Sequence, residues 1–312
     1  MECGSKAQPW WEAMVGRTKQ ARAAAGAGVI LAGLGLVALA LTAGQGGAAA
    51  ATEQERSVLG EARAGSLTVG LTPALADIKV TEANAPGRPI VVIDAGHGGR
   101  DPGATGVSDQ TNEKDLTLAL ARELRDLLAE RGRVRVALTR DDDRYLTLDQ
   151  RAEIARRLNA SLYLSLHMDS APNPLARGAT VYSLSDVASD AEAARLAARE
   201  NRAGEALSTE PDGSVRGMLS DLALREQMTG SASLAERLVR KSSGRFMLRP
   251  EPHRFADFRV LRRAEVPAVL FEAGYISNTD DEALLIQPEQ RSQIALALAQ
   301  AIEADVASRA VR

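Results

Sequence analysis

Sulfur and imidazole are scarce in this chain. Its 312 residues include one cysteine, Cys3, and three histidines, His97, His167 and His253. A lone thiol near the start excludes an intrachain disulfide, a cysteine-built zinc module and a catalytic thiol in the body of the protein. Any metal site must therefore be assembled from His, Asp and Glu, which narrows the search. An excess of positive charge is missing too. Against 41 Asp+Glu stand 38 Lys+Arg, for a net charge of −3, which excludes the dominant phosphate-neutralising surface of a nucleic-acid binder. With 45% hydrophobic and 25% charged residues, wholesale disorder is excluded as well. The length allows one large domain or two modest ones.

Charge of either sign is absent from residues 23–52, a run of Ala, Gly, Leu and Val that follows Arg17, Lys19 and Arg22. A basic flank, an apolar run and a small-residue tail have the anatomy of an export signal. The densest stretch, 29–41, is short for a membrane span, whereas the whole uncharged run suffices at roughly 20 residues per crossing. Residues 1–52 thus read as a cytoplasmic basic flank plus a signal peptide or membrane anchor, engaging the export machinery or the membrane. Both outcomes export the remainder to the periplasm. Residues 53–87 read as a linker, ending in the breaker cluster Asn84-Ala85-Pro86-Gly87. A strand or two around Ile78 and Val80 is expected to pack on the main domain, residues 88–312.

In that domain short apolar runs alternate with long amphipathic ones. Strands are predicted at 90–94, 134–139, 161–167, 180–183, 258–261 and 268–272, their continuous apolar character suiting a sheet covered on both faces. Helices are predicted at 114–131, 148–158, 191–203, 231–241 and 288–306, with Gly132 stopping the first. The expected fold is a three-layer α/β domain, a mostly parallel or mixed sheet of about six strands with helices on both faces. In such sheets ligands gather beyond the carboxyl ends of the strands.

That rim is where the rare residues fall. His97 follows the first strand in VVIDAGHGG, among glycines that let backbone and ligand approach closely. His167 ends the third strand in LYLSLHMDS, with Asp169 two residues on, and Glu272 ends the last in AVLFEAG. Glu113 follows Asn112 at the start of the long helix. Each has an ordinary alternative. His97 could be a loop hydrogen-bonder, Glu113 a first-turn carboxylate facing the helix dipole, and Asp169 a turn cap. Glu272 is harder to explain so, because a carboxylate closing an apolar run needs a partner once buried. Jointly, two His and a Glu at loop starts make a His2Glu set with an open fourth position, a ligand set used by catalytic zinc.

Five blocks in order carry a resemblance: IVVIDAGHGGRDPGATG; NEKDLTLALARELRDLL; LTRDDDRYLTLDQRAEIA; LYLSLHMDSAPN with RGATVYSLS; and VPAVLFEAGYISNTDDEALL. From Pro89 onward the chain resembles the zinc-dependent N-acetylmuramoyl-L-alanine amidases (amidase type 3) of bacterial cell-wall turnover. The resemblance implies one Zn2+ per chain held by His97, Glu113 and His167, with Glu272 acting in catalysis and Asp169 near the metal. It implies hydrolysis of the amide between N-acetylmuramic acid and L-alanine in peptidoglycan, for wall turnover and daughter-cell separation. Zinc peptidase action on stem peptides is the alternative within the same chemistry, and a catalytically silent envelope scaffold the alternative from another class.

A regulatory insert is expected at 205–230. Within it, 214–228 has a helical stripe of Leu219, Leu222, Ala223 and Glu226, and an ordinary covering helix is its plain reading. Division-associated members of the resembled family carry an inserted helix here that blocks the zinc with an acidic side chain until an activator in the envelope displaces it. Autoinhibition is expected on that resemblance, by Glu226 first and Asp221 second. His253 receives no role.

Overall fold

The computed structural model of the protein describes residues 78–202 and 215–310, with side chains in the second stretch described from Leu222. The signal or anchor segment and residues 53–77 of the linker lie outside them, as does the first part of the insert. Among the described residues no helix is long and apolar enough to cross a membrane.

Seven strands form one sheet in the order β1-β3-β2-β4-β7-β5-β6. They are β1 (Val80–Thr81), β2 (Ile90–Ala95), β3 (Arg135–Leu138), β4 (Leu162–Asp169), β5 (Ala179–Leu184), β6 (Leu248–Ala256) and β7 (Ala268–Tyr275). The four central strands β3, β2, β4 and β7 run parallel. The β1–β3 and β5–β7 pairs are antiparallel, and β5–β6 is again parallel. The sheet is therefore mixed, as expected, and β1 supplies the strand anticipated near Val80.

One face is covered by α1 (Glu113–Arg131), α7 (Pro288–Ala310) and the C-terminal half of α4 (Val215–Ser242). Leu116, Leu120, Leu124 and Leu128 of α1 meet Val91, Ile93, Leu164 and Leu166 there. The other face takes α2 (Leu148–Arg157), α3 (Ala191–Arg202) and α5 (Arg259–Arg263), packed on Val92, Tyr163, Tyr182 and Leu270. A short α6 (Thr279–Leu285) precedes α7. Residues alternate between faces along a strand, so both core clusters draw on the same six- to eight-residue strands. Local signals mark the helix ends. Gly132 closes α1 at φ 64° and accepts no side chain without strain there, while Thr147 and Gln150 form a reciprocal capping box at α2.

Two expectations fail. Residues 258–261 form the start of α5, capped at Phe258, and not a strand. Their buried apolar residues, Phe258, Val260 and Leu261, serve a short helix as well as they would a strand, an ambiguity that periodicity cannot settle over four residues. The edge strand is instead β6, LRPEPHRFA, whose two prolines and polar side chains hide it from any apolar pattern and suit an edge position. The separate helices expected at 214–228 and 231–241 are one 28-residue helix, α4.

Candidate metal centre

On the α3 side of the sheet, side chains change from apolar to polar toward the carboxyl ends of the strands. Val92, Tyr163 and Leu270 give way to Asp94, then Ser165 and His167, then Glu272. Parallel register sets His167 beside Glu272, and Thr180 of β5 pairs with Glu272 from the other side. A register shift follows His167 and brings Asp169 opposite Tyr275.

Four side chains converge above this rim. Glu113 Oε1 lies 3.1 Å from His97 Nε2 and 2.9 Å from His167 Nδ1. Glu200 Oε2, from α3, lies 3.5 Å from each of the same nitrogens. One ligand atom each from His97, His167 and Glu200 falls within 4.8 Å of the others. Glu113 enters from α1 on the opposite layer, and its carboxylate also accepts from the backbone N–H of Ala104 and Met168. Its position needs Gly103, at φ 69°, where a Cβ would sit 2.6 Å from Glu113 Oε2 and 2.7 Å from His97 Cδ2. Gly96 is equally constrained, since a Cβ there would meet the His167 ring at 2.5 Å.

The His97 loop is held from behind. His97 adopts φ 59°, left-handed for a non-glycine residue. Arg151 Nη2 donates to its carbonyl at 2.6 Å while Nη1 donates to Asp94 at 2.7 Å. Asp101 Oδ2 sits 2.9 Å from His97 Nδ1, which leaves Nε2 turned toward the cluster. A carboxylate on the far imidazole nitrogen is the usual way a histidine ligand is oriented.

The electrostatics call for a cation. Burial would lower the His97 pKa, but Glu113, Asp101 and Glu200 outweigh it and push it up to about 11. Burial raises the Glu113 carboxyl, yet the two imidazoles hold it well below the ordinary carboxylate range. Glu272 has no such compensation: burial and then Asp169, Glu113 and Glu200 push it well above the ordinary range, with only Arg199 opposing. Asp169, raised by burial against the pull of Arg199, reaches about 6. His97 Nε2 and both Glu272 oxygens are buried and make no hydrogen bond among the described residues. Two imidazole nitrogens facing the same two carboxylates, Glu113 and Glu200, fit a divalent ion. The nitrogen and oxygen set suits zinc.

The residues singled out in the sequence are distributed as follows. His97, Glu113 and His167 come together, with Glu272 and Asp169 buried on the same rim. Glu226 does not join them. It is exposed on α4, whose buried face is Gln227, Ser231, Leu234, Ala235 and Leu238. Of the stripe that carried the expectation, Leu222, Ala223 and Glu226 are exposed, Leu222 at 63%. Asp221 belongs to α4, but its side chain lies outside the described residues. Glu200 is the acid that occupies the fourth corner, and sequence reasoning passed over it. The signal was available, because Ala193, Leu196, Ala197 and Glu200 form the buried stripe of α3, and a carboxylate on such a stripe needs a positive partner. His253 is spent within the sheet, 2.8 Å from Ser183 Oγ and against the Phe255 ring.

Residues 91–304 match a family model described as N-acetylmuramoyl-L-alanine amidase (Amidase_3). The chain is 37% identical over 220 residues to N-acetylmuramoyl-L-alanine amidase AmiA of Escherichia coli (strain K12), covering 69% of this chain and 75% of AmiA. Among solved structures it is similar to the catalytic domain of CwlV, an N-acetylmuramoyl-L-alanine amidase from Bacillus (Paenibacillus) polymyxa var. colistinus. There the identity is 27% and the TM-score 0.51, with 69% of this chain and 96% of that one covered. It is likewise similar to the amidase AmiC2 of Nostoc punctiforme, with 27% identity, a TM-score of 0.50, and 73% and 100% covered.

Proposed function

The chain belongs to the N-acetylmuramoyl-L-alanine amidase family, and from that premise we propose that it is an exported zinc hydrolase held shut by its own Glu200. The bond it cuts joins the lactyl group of N-acetylmuramic acid to L-alanine of the stem peptide in peptidoglycan. The observation that carries the metal reading is the convergence of His97 Nε2, His167 Nδ1 and Glu113 Oε1 within 3.1 Å contacts, beside a buried carboxylate, Glu272, with no partner of its own.

His97, His167 and Glu113 would hold the ion. Bound there, zinc supplies a Lewis acid that polarises the scissile carbonyl and acidifies water. Glu272 takes the proton from the attacking water and delivers it to the departing alanine nitrogen. Its raised proton affinity suits the second half of that task. Asp169 and Arg199 orient the polar rim beside it, with Arg199 Nη2 3.5 Å from Asp169 Oδ1.

Glu200 takes the fourth place and thereby excludes substrate. Arg199 grips its other oxygen at 2.9 Å, so α3 must move for the site to open, and an envelope partner that draws α3 away would act as activator. Export follows from where the substrate lies and from the uncharged run at residues 23–52.

Metal analysis of the purified protein, with a zymogram on cell wall in the presence and absence of chelator, tests the reading. Expected are one zinc per chain, chelator-sensitive clearing by a Glu200→Ala variant, and intact stem peptide as product. Cleavage within the stem peptide would make it a peptidase. Full metal content in a His97→Ala, His167→Ala double variant would remove the proposed centre.

A further inference from the structure

Among the described residues Arg140 is the bulkiest side chain that is completely buried. Arg151 holds Asp94 at 2.7 Å, whereas Arg140 makes no ion pair among the described residues. Burial first, and then the like charge of Arg151, draw its pKa down to about 10 against the pull of Asp94, Asp143 and Asp115 from beyond contact. A buried cation without a counterion is costly. Its guanidinium also lies at the first turn of α1, the wrong end of a helix dipole for a positive charge. What surrounds it is carbonyl oxygen. Nε donates to Ala95 O at 2.9 Å and Nη1 to Asp142 O at 3.1 Å. Nη2 faces Gly96 O at 2.9 Å, Lys114 O at 2.8 Å and Thr117 Oγ1 at 3.1 Å. Thr117 Oγ1 donates in turn to Gly96 O at 2.9 Å.

Two of the segments that Arg140 joins each carry a ligand of the candidate centre. Ala95 and Gly96 lead into His97, and Lys114 follows Glu113. Gly98, on the far side of His97, rests on the same side chain, since a Cβ there would lie 2.9 Å from Arg140 Nε and 3.0 Å from its Cδ. We infer that Arg140 is a positioning residue for the metal centre: its guanidinium fixes the separation between the His97 loop and the first turn of α1, so that His97 Nε2 and Glu113 Oε1 meet across one ion. The inference rests on the metal reading of the site. It accounts for the choice of side chain, because a planar fork with five N–H donors answers carbonyls from three segments at once, and a single ammonium point does not. Arg151 grips the His97 loop through Ala95 O and His97 O but bonds nothing on α1. The buried bridge between the two ligand-bearing segments is therefore Arg140 with Thr117.

The test measures zinc affinity of the full-length protein by competition with a chromophoric chelator, in wild type, Arg140→Lys and Thr117→Val. Beside it, histidine-labelled NMR spectra of the zinc-free proteins follow the three imidazoles of the chain. Arg140→Lys keeps the charge and loses the fork, and is expected to bind zinc roughly tenfold or more weakly, the scale seen when the residues supporting a metal ligand are altered. Thr117→Val removes only the bridging hydroxyl and should weaken binding in the same direction by less. In the zinc-free spectra the His97 signals should move in both variants while those of His253, in β6, stay in place, a selectivity that a general loss of stability would not produce. Undiminished zinc affinity in a folded Arg140→Lys protein, or in Thr117→Val should the first variant not fold, overturns the inference and leaves the metal centre standing. A wild type that binds no zinc removes the metal reading, and the His97 signals then decide alone. Displaced, they keep Arg140 as the residue that sets the His97 loop; unmoved, they remove that role as well.

Discussion

At Glu272 neither carboxylate oxygen finds a hydrogen bond among the described residues, although the side chain is fully buried. At Asp94, on the same face of the sheet, both oxygens are answered. Thr139, Ser165 and Arg151 each donate to it at 2.7 Å. The two acids predict opposite outcomes. Glu272→Gln removes a buried acid whose ionisation the fold disfavours, so stability should hold or rise, by up to about 1–3 kcal/mol. In the Glu200→Ala background, wall-clearing activity should fall by roughly 10²–10⁴-fold while zinc content stays. Calorimetric melting beside a zymogram reads both, and near-normal clearing would defeat the assigned role. Asp94→Asn should instead cost about 3–5 kcal/mol, because it strands the buried Arg151 charge. Burial alone would raise the Asp94 carboxyl, but Arg151 and the two hydroxyls outweigh it and hold it well below the ordinary range. The Asp94 contribution is thus complete above the unfolded-chain value of about 3.9 and disappears as pH falls through the lower folded value. Urea midpoints measured from pH 7 downward should show the wild type losing its advantage over Asp94→Asn only in strong acid. A constant gap between the two would be evidence against the linkage.

The helix that carries the proposed latch is α3, and its anchoring is polar. Glu192 near its start is bound by Arg249 at 2.7 Å and accepts from the Tyr275 hydroxyl at 3.0 Å, while Arg254 pairs with Asp190 just ahead of it. Below it, Ala193, Leu196 and Ala197 give only small apolar contacts, so the helix is held by few buried groups and can be loosened without dismantling the core. Replacing Glu200 by Ala is expected to raise basal amidase activity at least tenfold, and Glu192→Ala to raise it less, by freeing the anchored end. Basal rates on purified wall without added partner decide this, and an unchanged rate in a folded Glu200→Ala protein would sink the latch. Helices α3 and α4, set beside the strands, show where the sequence was legible. The strands carrying His97, His167 and Glu272 were readable because each is a continuous apolar run ending in a polar residue. Glu113 was readable from its place at a helix start. Which acid stands beside the two histidines as a fourth group was not, because α3 and α4 both carry a Glu on an apparent helical stripe. Only the tertiary structure shows that α4 buries the neighbouring face, through Gln227 and Leu234. β6 was illegible for a related reason, since an edge strand need not be apolar and this one is built around Pro250 and Pro252.

Taken whole, the candidate centre ties the three layers of the domain together at a single point. Glu113 comes from the first turn of α1 on one face, His97 and His167 from the rim of the sheet, and Glu200 from α3 on the other face. An unfolded chain does not hold these groups together, so an ion bound there favours the folded state by mass action. At a hundredfold excess of free zinc over its dissociation constant this linkage amounts to about 2.7 kcal/mol. For a domain of this size that corresponds to a rise in melting temperature of roughly 5–10 °C. The charges predict more than the shift itself. With Glu113 and Glu200 both beside His97, the ion-free centre retains a proton on that imidazole well above neutrality, and the ion must displace it. The zinc-induced rise should therefore grow with pH between 6 and 9 and be abolished in the His97→Ala, His167→Ala double variant. Scanning calorimetry with zinc and with chelator at three pH values measures this, and coincident melting curves under both conditions would mean that the four side chains converge without holding an ion.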